Sequence, residues 1–258
     1  PPPPPPFFFL MIRRRPRSTQ GVSSAESDVY KRQAIIWTEN THNVRGGVSW
    51  GPDVLHRILE LAAEHGFRVH VDGARIFNAA VAEGVSVRKL TEGAATVQFC
   101  LSKGLGAPFG SLVVGSLPVI QEVERHKKML GGAMRQAGVM AAAGLIALRD
   151  GPGHLATDHA NARRLGELVS AIPGIQLIFP VATNMVFARV DPELVDQKKF
   201  LAAVRAEGVG VPDIRPVDRL RLVTHHQVDR QAIEEAGHIL RDAAEMSLRH
   251  TPAGDATD

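Results

Sequence analysis

Residues 68–111 constrain the fold of this 258-residue chain more than any other stretch. They read RVHVDGARIFNAAVAEGVSVRKLTEGAATVQFCLSKGLGAPFGS and hold two short apolar runs, each ending in a reactive polar group. Val69-His70-Val71 runs into Asp72-Gly73-Ala74-Arg75. The run from Thr96 to Leu101 passes into Ser102-Lys103-Gly104. Both are β-branched or aromatic and close on glycine-containing turns, so both are expected to be buried strands. Lys103 follows Asp72 by 31 residues, enough for one crossover between neighbouring parallel strands. In open α/β sheets, ligands sit at the carboxyl ends of the strands.

An acid at one strand end and a lysine at the next suit pyridoxal phosphate (PLP). A lysine amine forms a Schiff base with the cofactor aldehyde, and a carboxylate keeps the pyridine nitrogen protonated so that the ring accepts electrons. Each half also has a plainer reading. Asp-Gly after a strand is an ordinary turn, and Ser-Lys-Gly before a loop is a solvated lysine. The glycines of GLGAPFG (Gly104–Gly110) lack the spacing and the following helix of a dinucleotide fingerprint.

The remaining chain alternates strands and helices. Ala34–Trp37 is expected to be a strand, and Asp53–His65 a helix with Val54, Ile58, Leu61 and Ala62 on one face, stopped by Gly66. With the strand at 68–71 these make a βαβ unit. Val85–Leu90 reads as a turn and helix onset, Leu112–Gly115 as a strand and Pro118–Leu130 as a basic, solvated helix. Gly138–Leu148 is small and apolar all round, which predicts a buried helix. Gly151-Pro152-Gly153 marks a domain boundary. Beyond it the pattern predicts helices at 154–170, 192–207 and 230–246, the last capped by Asp229. Strands are expected at 175–179, 185–190 and 220–224, giving a smaller α+β domain.

Composition limits the alternatives. A 44% hydrophobic content supports a substantial core. No apolar run reaches the length of a membrane span. The one cysteine, Cys100, excludes an internal disulfide, suits a reducing compartment and reads as a packed thiol. The pI near 9.3 is misleading. Residues 1–33 hold six basic groups (Arg13, Arg14, Arg15, Arg17, Lys31, Arg32) against Glu26 and Asp28, a net +4, whereas the whole chain is +3. The remainder is slightly acidic, so nothing in it favours nucleic acid or an acidic membrane. The histidines show no zinc-ligand spacing, and no metal is expected.

Seven blocks occur in order: ENTHN (Glu39–Asn43), HVDGARIFNA (His70–Ala79), FCLSKGLGAPFGS (Phe99–Ser111), KMLGGAMRQAG (Lys128–Gly138), DHANA (Asp158–Ala162), TNM (Thr183–Met185) and RLVTH (Arg221–His225). Together they resemble the low-specificity L-threonine aldolases of the aromatic amino acid β-eliminating lyase group, over roughly residues 34–248. The resemblance implies an α/β fold, namely the fold-type I PLP-dependent transferase-like large domain at 34–150, incomplete at its N-terminal side, followed by a small domain at 151–250. Residues 1–33 (PPPPPPFFFLMIRRRPRSTQ…) are expected to be a disordered, non-native tail standing where the family's N-terminal portion belongs, and 251–258 a second disordered tail.

The resemblance also implies site roles. Lys103 would carry the Schiff base, Asp72 would partner the pyridine nitrogen, Ser102 would approach the cofactor, and Lys128 and Arg135, near a subunit boundary, would approach a neighbouring subunit's cofactor phosphate. Arg221 and Arg75 would bind the substrate carboxylate, and Glu39, Asn40 and His42 would lie near the ring. The implied activity is retro-aldol cleavage of threonine and related β-hydroxy-α-amino acids to glycine and an aldehyde, by a cytoplasmic homodimer or homotetramer with shared sites. Two other readings stay open: another fold-type I PLP lyase or transaminase, and an inactive truncated homologue.

Overall fold

The computed structural model describes residues 10–11, 35–211 and 219–249. The expected tails at 1–33 and 251–258 lie outside these residues apart from the two-residue strand β1, Leu10–Met11. The chain divides into two compact units, Pro1–His42 with Ser49–Gly153 and Asn43–Val48 with His154–Asp258.

The first unit is built on a five-stranded sheet of order β1-β2-β3-β4-β5, with β2 Ile35–Glu39, β3 Arg68–Asp72, β4 Thr96–Cys100 and β5 Ser111–Gly115. Strands β2, β3 and β4 run parallel, and β1 and β5 pair antiparallel at the two edges. Alternation sends Ile36, Val69, Val71 and Val97 to one face. There they pack on Leu55, Ile58 and Ala62 of helix α1, Pro52–Glu64. The buried stripe is rotated from the one expected: Leu55 is inside and Leu61 is exposed.

Helix α2, Ile76–Glu83, ends at Gly84 in the left-handed region (φ 65°), a conformation that suits glycine. The sequence reading did not anticipate this helix. It buries Ile76, Ala79 and Ala80 against Leu90. The expected helix onset at 85–90 is a run of turns instead. Helix α3, Leu117–Met129, buries no residue. Helix α4, Gly138–Asp150, was expected to be buried but buries only Gly144 and Ala147. Its Val139, Leu145 and Ile146 are exposed. Apolar composition shows that a helix needs a partner surface, but it does not supply one.

The second unit holds a three-stranded antiparallel sheet of order β6-β7-β8, formed by Ile175–Leu177, Met185–Val190 and Arg219–Val223. Three helices accompany it: α5 Leu155–Ser170, α6 Gln197–Ala206 and α7 Arg230–Met246. Val186, Ala188, Val190, Leu220 and Leu222 on one sheet face join Leu165, Val169, Phe200, Ile233 and Leu240 in one continuous core. Helix α6 starts later than the 192 expected because Asp196 caps it, its side chain accepting from the Lys198 and Lys199 amides. Asp229 caps α7 in the same way, through the Ala232 amide.

Candidate active site

The parallel pairing of β3 with β4 brings their carboxyl ends side by side, with Asp72 in register with Gln98. Asp72 is half-buried. Its Oδ1 accepts from the Ala74 amide at 3.1 Å, which fixes the turn out of the strand. Gly73 has a steric reason to be glycine. Its amide donates to the Gln98 carbonyl at 2.7 Å, and a Cβ would lie 2.9 Å from that oxygen. Arg75 is the half-buried N-cap of α2.

The sheet face away from α1 is polar. In register it presents Trp37, His70 and Thr96, then Glu39, Asp72 and Gln98. The His70 Nδ1 lies 2.7 Å from the Thr96 Oγ1, and its ring meets Trp37 edge-on at 4.5 Å. Burial holds the His70 imidazole below its ordinary pKa, while Asp72 pulls it the other way. Cys100 also differs from the packed thiol expected. It is half-buried beside the polar row, with the Gln98 amide Nε2 3.3 Å from its Sγ.

Lys103 lies three residues beyond β4 and is exposed. Its loop is anchored on both sides. The Leu101 amide donates to the Gly110 carbonyl at 2.9 Å, the Ala107 amide to the Leu101 carbonyl at 3.0 Å, and the Gly106 amide to the Lys103 carbonyl at 2.9 Å. Leu101, Leu105 and Ala107 are buried beneath it. Ser102 is exposed, and its hydroxyl lies 3.5 Å from the Gly110 carbonyl.

The other expected residues distribute unevenly. Asn40 is fully buried, and its side chain serves the backbone of Trp50: Nδ2 donates to the Trp50 carbonyl at 3.0 Å. That use makes Asn40 a scaffold residue. His42 places Nδ1 3.7 Å from a Glu39 carboxylate oxygen. Lys128 is exposed and pairs with Glu124 on its own helix at 3.7 Å. Arg135 is exposed in the turn before α4.

In the second unit, Arg221 is opposite Phe187 in the β7–β8 ladder, on the face away from the helices. The only hydrogen bond its guanidinium makes among the described residues runs from Nη2 to the Met185 sulfur at 3.7 Å. Its Nε is buried with no partner. A thioether is a poor acceptor, so this half-buried cation retains donors for an anion.

Sequence reasoning missed a buried polar node that joins three of the motif blocks. The Thr224 hydroxyl donates to the Asp158 carbonyl at 2.7 Å, and the Asn184 Nδ2 to the Thr224 carbonyl at 2.9 Å. Asp158 is 1% exposed, and burial raises its pKa against the pull of His226, His225 and His154. The signal was available: Asp158, Ala162, Leu165 and Val169 fall on one helical face. An acid on an apolar face asks for an explanation.

The family model described as beta-eliminating lyase matches residues 21–193. Low-specificity L-threonine aldolase 1 of Arabidopsis thaliana is 40% identical over 205 residues, which is 78% of this chain and 57% of that protein. The low specificity L-threonine aldolase of Escherichia coli K12 is 37% identical over 206 residues, 80% of this chain and 59% of that protein. This chain therefore spans less than two thirds of the curated relatives it matches. Among solved structures, the threonine aldolase of Leishmania major superposes with a TM-score of 0.67 at 19% identity, covering 81% of this chain and 61% of that one. A structure described as SPT with PLP gives 0.63 at 20% identity, over 82% and 55%. The fold is thus the mixed α/β architecture of fold-type I PLP enzymes. With its acid and lysine at neighbouring strand ends and a family match over most of its length, the chain belongs to the beta-eliminating lyase family.

Proposed function

We propose that this chain carries the core of a PLP-dependent aldehyde-lyase. It acts on L-threonine, L-allo-threonine and related β-hydroxy-α-amino acids and yields glycine and an aldehyde. The reading rests on the placement of Asp72 and Lys103 at the carboxyl ends of adjacent parallel strands, together with the names of the relatives. The residues present fit the cofactor. A half-buried carboxylate with one oxygen held by the Ala74 amide is presented at a fixed angle, and the lysine sits on an anchored loop.

When bound, PLP supplies an aldehyde that condenses with amines and a ring that takes up the electron pair of the breaking Cα–Cβ bond. The chain's own residues hold and orient. The Lys103 amine would hold the cofactor through its aldehyde. Asp72 keeps the pyridine nitrogen protonated. Ser102 lies against the cofactor, and Lys128 and Arg135 serve the cofactor phosphate of a neighbouring subunit. Arg221, with Arg75, grips the substrate carboxylate in a two-pronged hydrogen bond and so sets the orientation of the bond to be broken. His42 approaches the substrate. A base takes the β-hydroxyl proton as the Cα–Cβ bond breaks, and a proton delivered to Cα completes glycine. We further place the enzyme in the cytoplasm as a homodimer or homotetramer with shared sites. No helix among the described residues is long and apolar enough to cross a membrane.

The test is the visible absorption spectrum of the 258-residue chain with added PLP beside Lys103→Ala. A band in the first and none in the second is expected. No band in either overturns cofactor binding by this chain. A second reading, a homologue that keeps the residues but not the turnover, is favoured by one observation: every residue of β5 is exposed. Release of acetaldehyde from threonine by the PLP-loaded chain separates the two.

A further inference from the structure

The turn Arg45-Gly46-Gly47 belongs to the second unit, and nothing in the proposed chemistry uses it. Both glycines have positive φ, 82° and 73°, and both are in close contact. A Cβ on Gly46 would lie 2.8 Å from the Phe179 Cβ. A Cβ on Gly47 would lie 2.5 Å from the Met185 Cε and 2.6 Å from the Thr183 Oγ1. The Thr183 hydroxyl donates to the Gly47 carbonyl at 2.8 Å within a buried contact. Met185 and Phe187 alternate onto the face of β7 that carries Arg221 across the ladder. Met185 supplies the sulfur that receives Arg221 Nη2. Phe179 packs edge-on against Phe187, ring centres 6.0 Å apart, and Phe187 is the cross-strand partner of Arg221.

We infer that the Gly46-Gly47 turn, acting through Met185 and Phe179, positions the Arg221 guanidinium for a carboxylate. The turn abuts Met185, whose sulfur receives Arg221 Nη2, and Phe179, which packs on Arg221's cross-strand partner Phe187, and Thr183 pins it there. Because the acceptor it offers is only a thioether, the guanidinium is oriented but not consumed. Gly47 and Met185 are positioning residues, while Arg221 is the group that touches the ligand. The inference rests on the reading of Arg221 as the carboxylate-binding residue.

The experiment follows the Arg221 side-chain Nε–Hε resonance in the 15N-labelled 258-residue chain, assigned by its loss in Arg221→Lys. Glycine is the probe, and methylamine, which has the amine without the carboxylate, is the control. Glycine should shift the resonance and methylamine should not. Gly47→Ala adds a methyl that displaces the Met185 terminus, and Met185→Leu keeps the volume but removes the sulfur. Each should weaken glycine binding by about tenfold, the scale of one charge-assisted hydrogen bond. Unchanged methyl signals from Leu220 and Leu222 show that the fold persists. If Gly47 acts through Met185, the double variant should bind no worse than the weaker single variant. Glycine binding equal to the unmodified chain in both variants, with an intact Arg221 response, overturns the positioning role alone. No response of Arg221 to glycine in the unmodified chain overturns the carboxylate reading and this inference together, and leaves the Lys103 spectrum as a separate question.

Discussion

The two units solve the burial problem differently. In the second, both β7 and β8 place one side on α5, α6 and α7, and eighteen buried residues form one cluster. That continuity is what a self-sufficient core looks like. In the first, the buried residues fall into three smaller clusters, and much apolar surface stays outside. Leu112, Val113 and Val114 of β5 are 40%, 38% and 46% exposed. Met129, Leu130, Met134, Val139, Leu145 and Ile146 on and between α3 and α4 are exposed with them. Contiguous exposed apolar surface marks a site of association or aggregation. The difference separates two kinds of apolar sequence: one that folds onto its own chain and one whose partner surface is not supplied among the described residues.

The largest expected effect breaks the second unit. Phe200 and Leu240 are fully buried in its core. Phe200→Ala should cost about 3–5 kcal/mol and Leu240→Ala about 2–5 kcal/mol, from lost transfer free energy plus a cavity. Ile146→Ala on α4, 55% exposed, should change stability by less than about 0.5 kcal/mol. Both tryptophans, Trp37 and Trp50, lie in the first unit, so fluorescence reads that unit while far-UV circular dichroism reads both. The core variants should move the circular dichroism transition. A shift of equal size from Ile146→Ala would erase the distinction between the units.

Next in size is the exposed face itself. The chain should bind a hydrophobic dye and self-associate as its concentration rises. Leu145→Glu together with Val113→Lys should reduce both signals without lowering the denaturation midpoint, because neither side chain is buried. A lower midpoint with unchanged dye binding would show that these residues hold up the fold.

This face also marks the limit of what sequence patterning reveals. The Asp72 and Lys103 strand ends, the strand at 185–190 and the cap at Asp229 were readable because each depends on residues close in sequence. Helix α2 escaped because IFNAAVAE is short and nearly all apolar, so its helical period is hidden. Helix α4 was recognised as a helix, but its surroundings were misjudged: burial depends on what the rest of the chain places against GVMAAAGLIAL. The Arg221 face required tertiary information of another kind. Gly47 and Met185 stand 138 residues apart, and no local period links them.

A smaller, pH-dependent effect sharpens the contrast from inside the second unit. His159 is 3% exposed. Burial first, and Arg163 second, lower its pKa from 6.5 to about 4. The unfolded chain therefore takes up a proton more readily than the folded one in that window. The stability contributed by neutral His159 is fully present above pH 6.5 and is lost as pH falls toward 4. His159→Gln should flatten the acid limb of the midpoint–pH profile seen by circular dichroism. Asp158, whose pKa is raised by burial, works in the opposite sense: its contribution is present at low pH and is lost as pH rises through its folded value. Asp158→Asn should therefore gain relative stability on the alkaline side. An acid limb unchanged by His159→Gln would place the sensitivity elsewhere.

The smallest expected effect on stability concerns Lys128 and Arg135. Lys128 is exposed and pairs with Glu124 across one helical turn, an arrangement that contributes little in water and less in salt. Arg135 is exposed as well. Lys128→Gln and Arg135→Gln should leave both unfolding transitions where they are, which makes them clean probes of the cofactor assignment. If the two cations serve the phosphate, each variant should need a higher PLP concentration to develop the visible band, while pyridoxal, which has no phosphate, should be affected equally little in all forms. If PLP titrates identically into the variants and the parent, the cations belong to the solvated surface of α3 and the turn after it. The phosphate then has to be held by other groups.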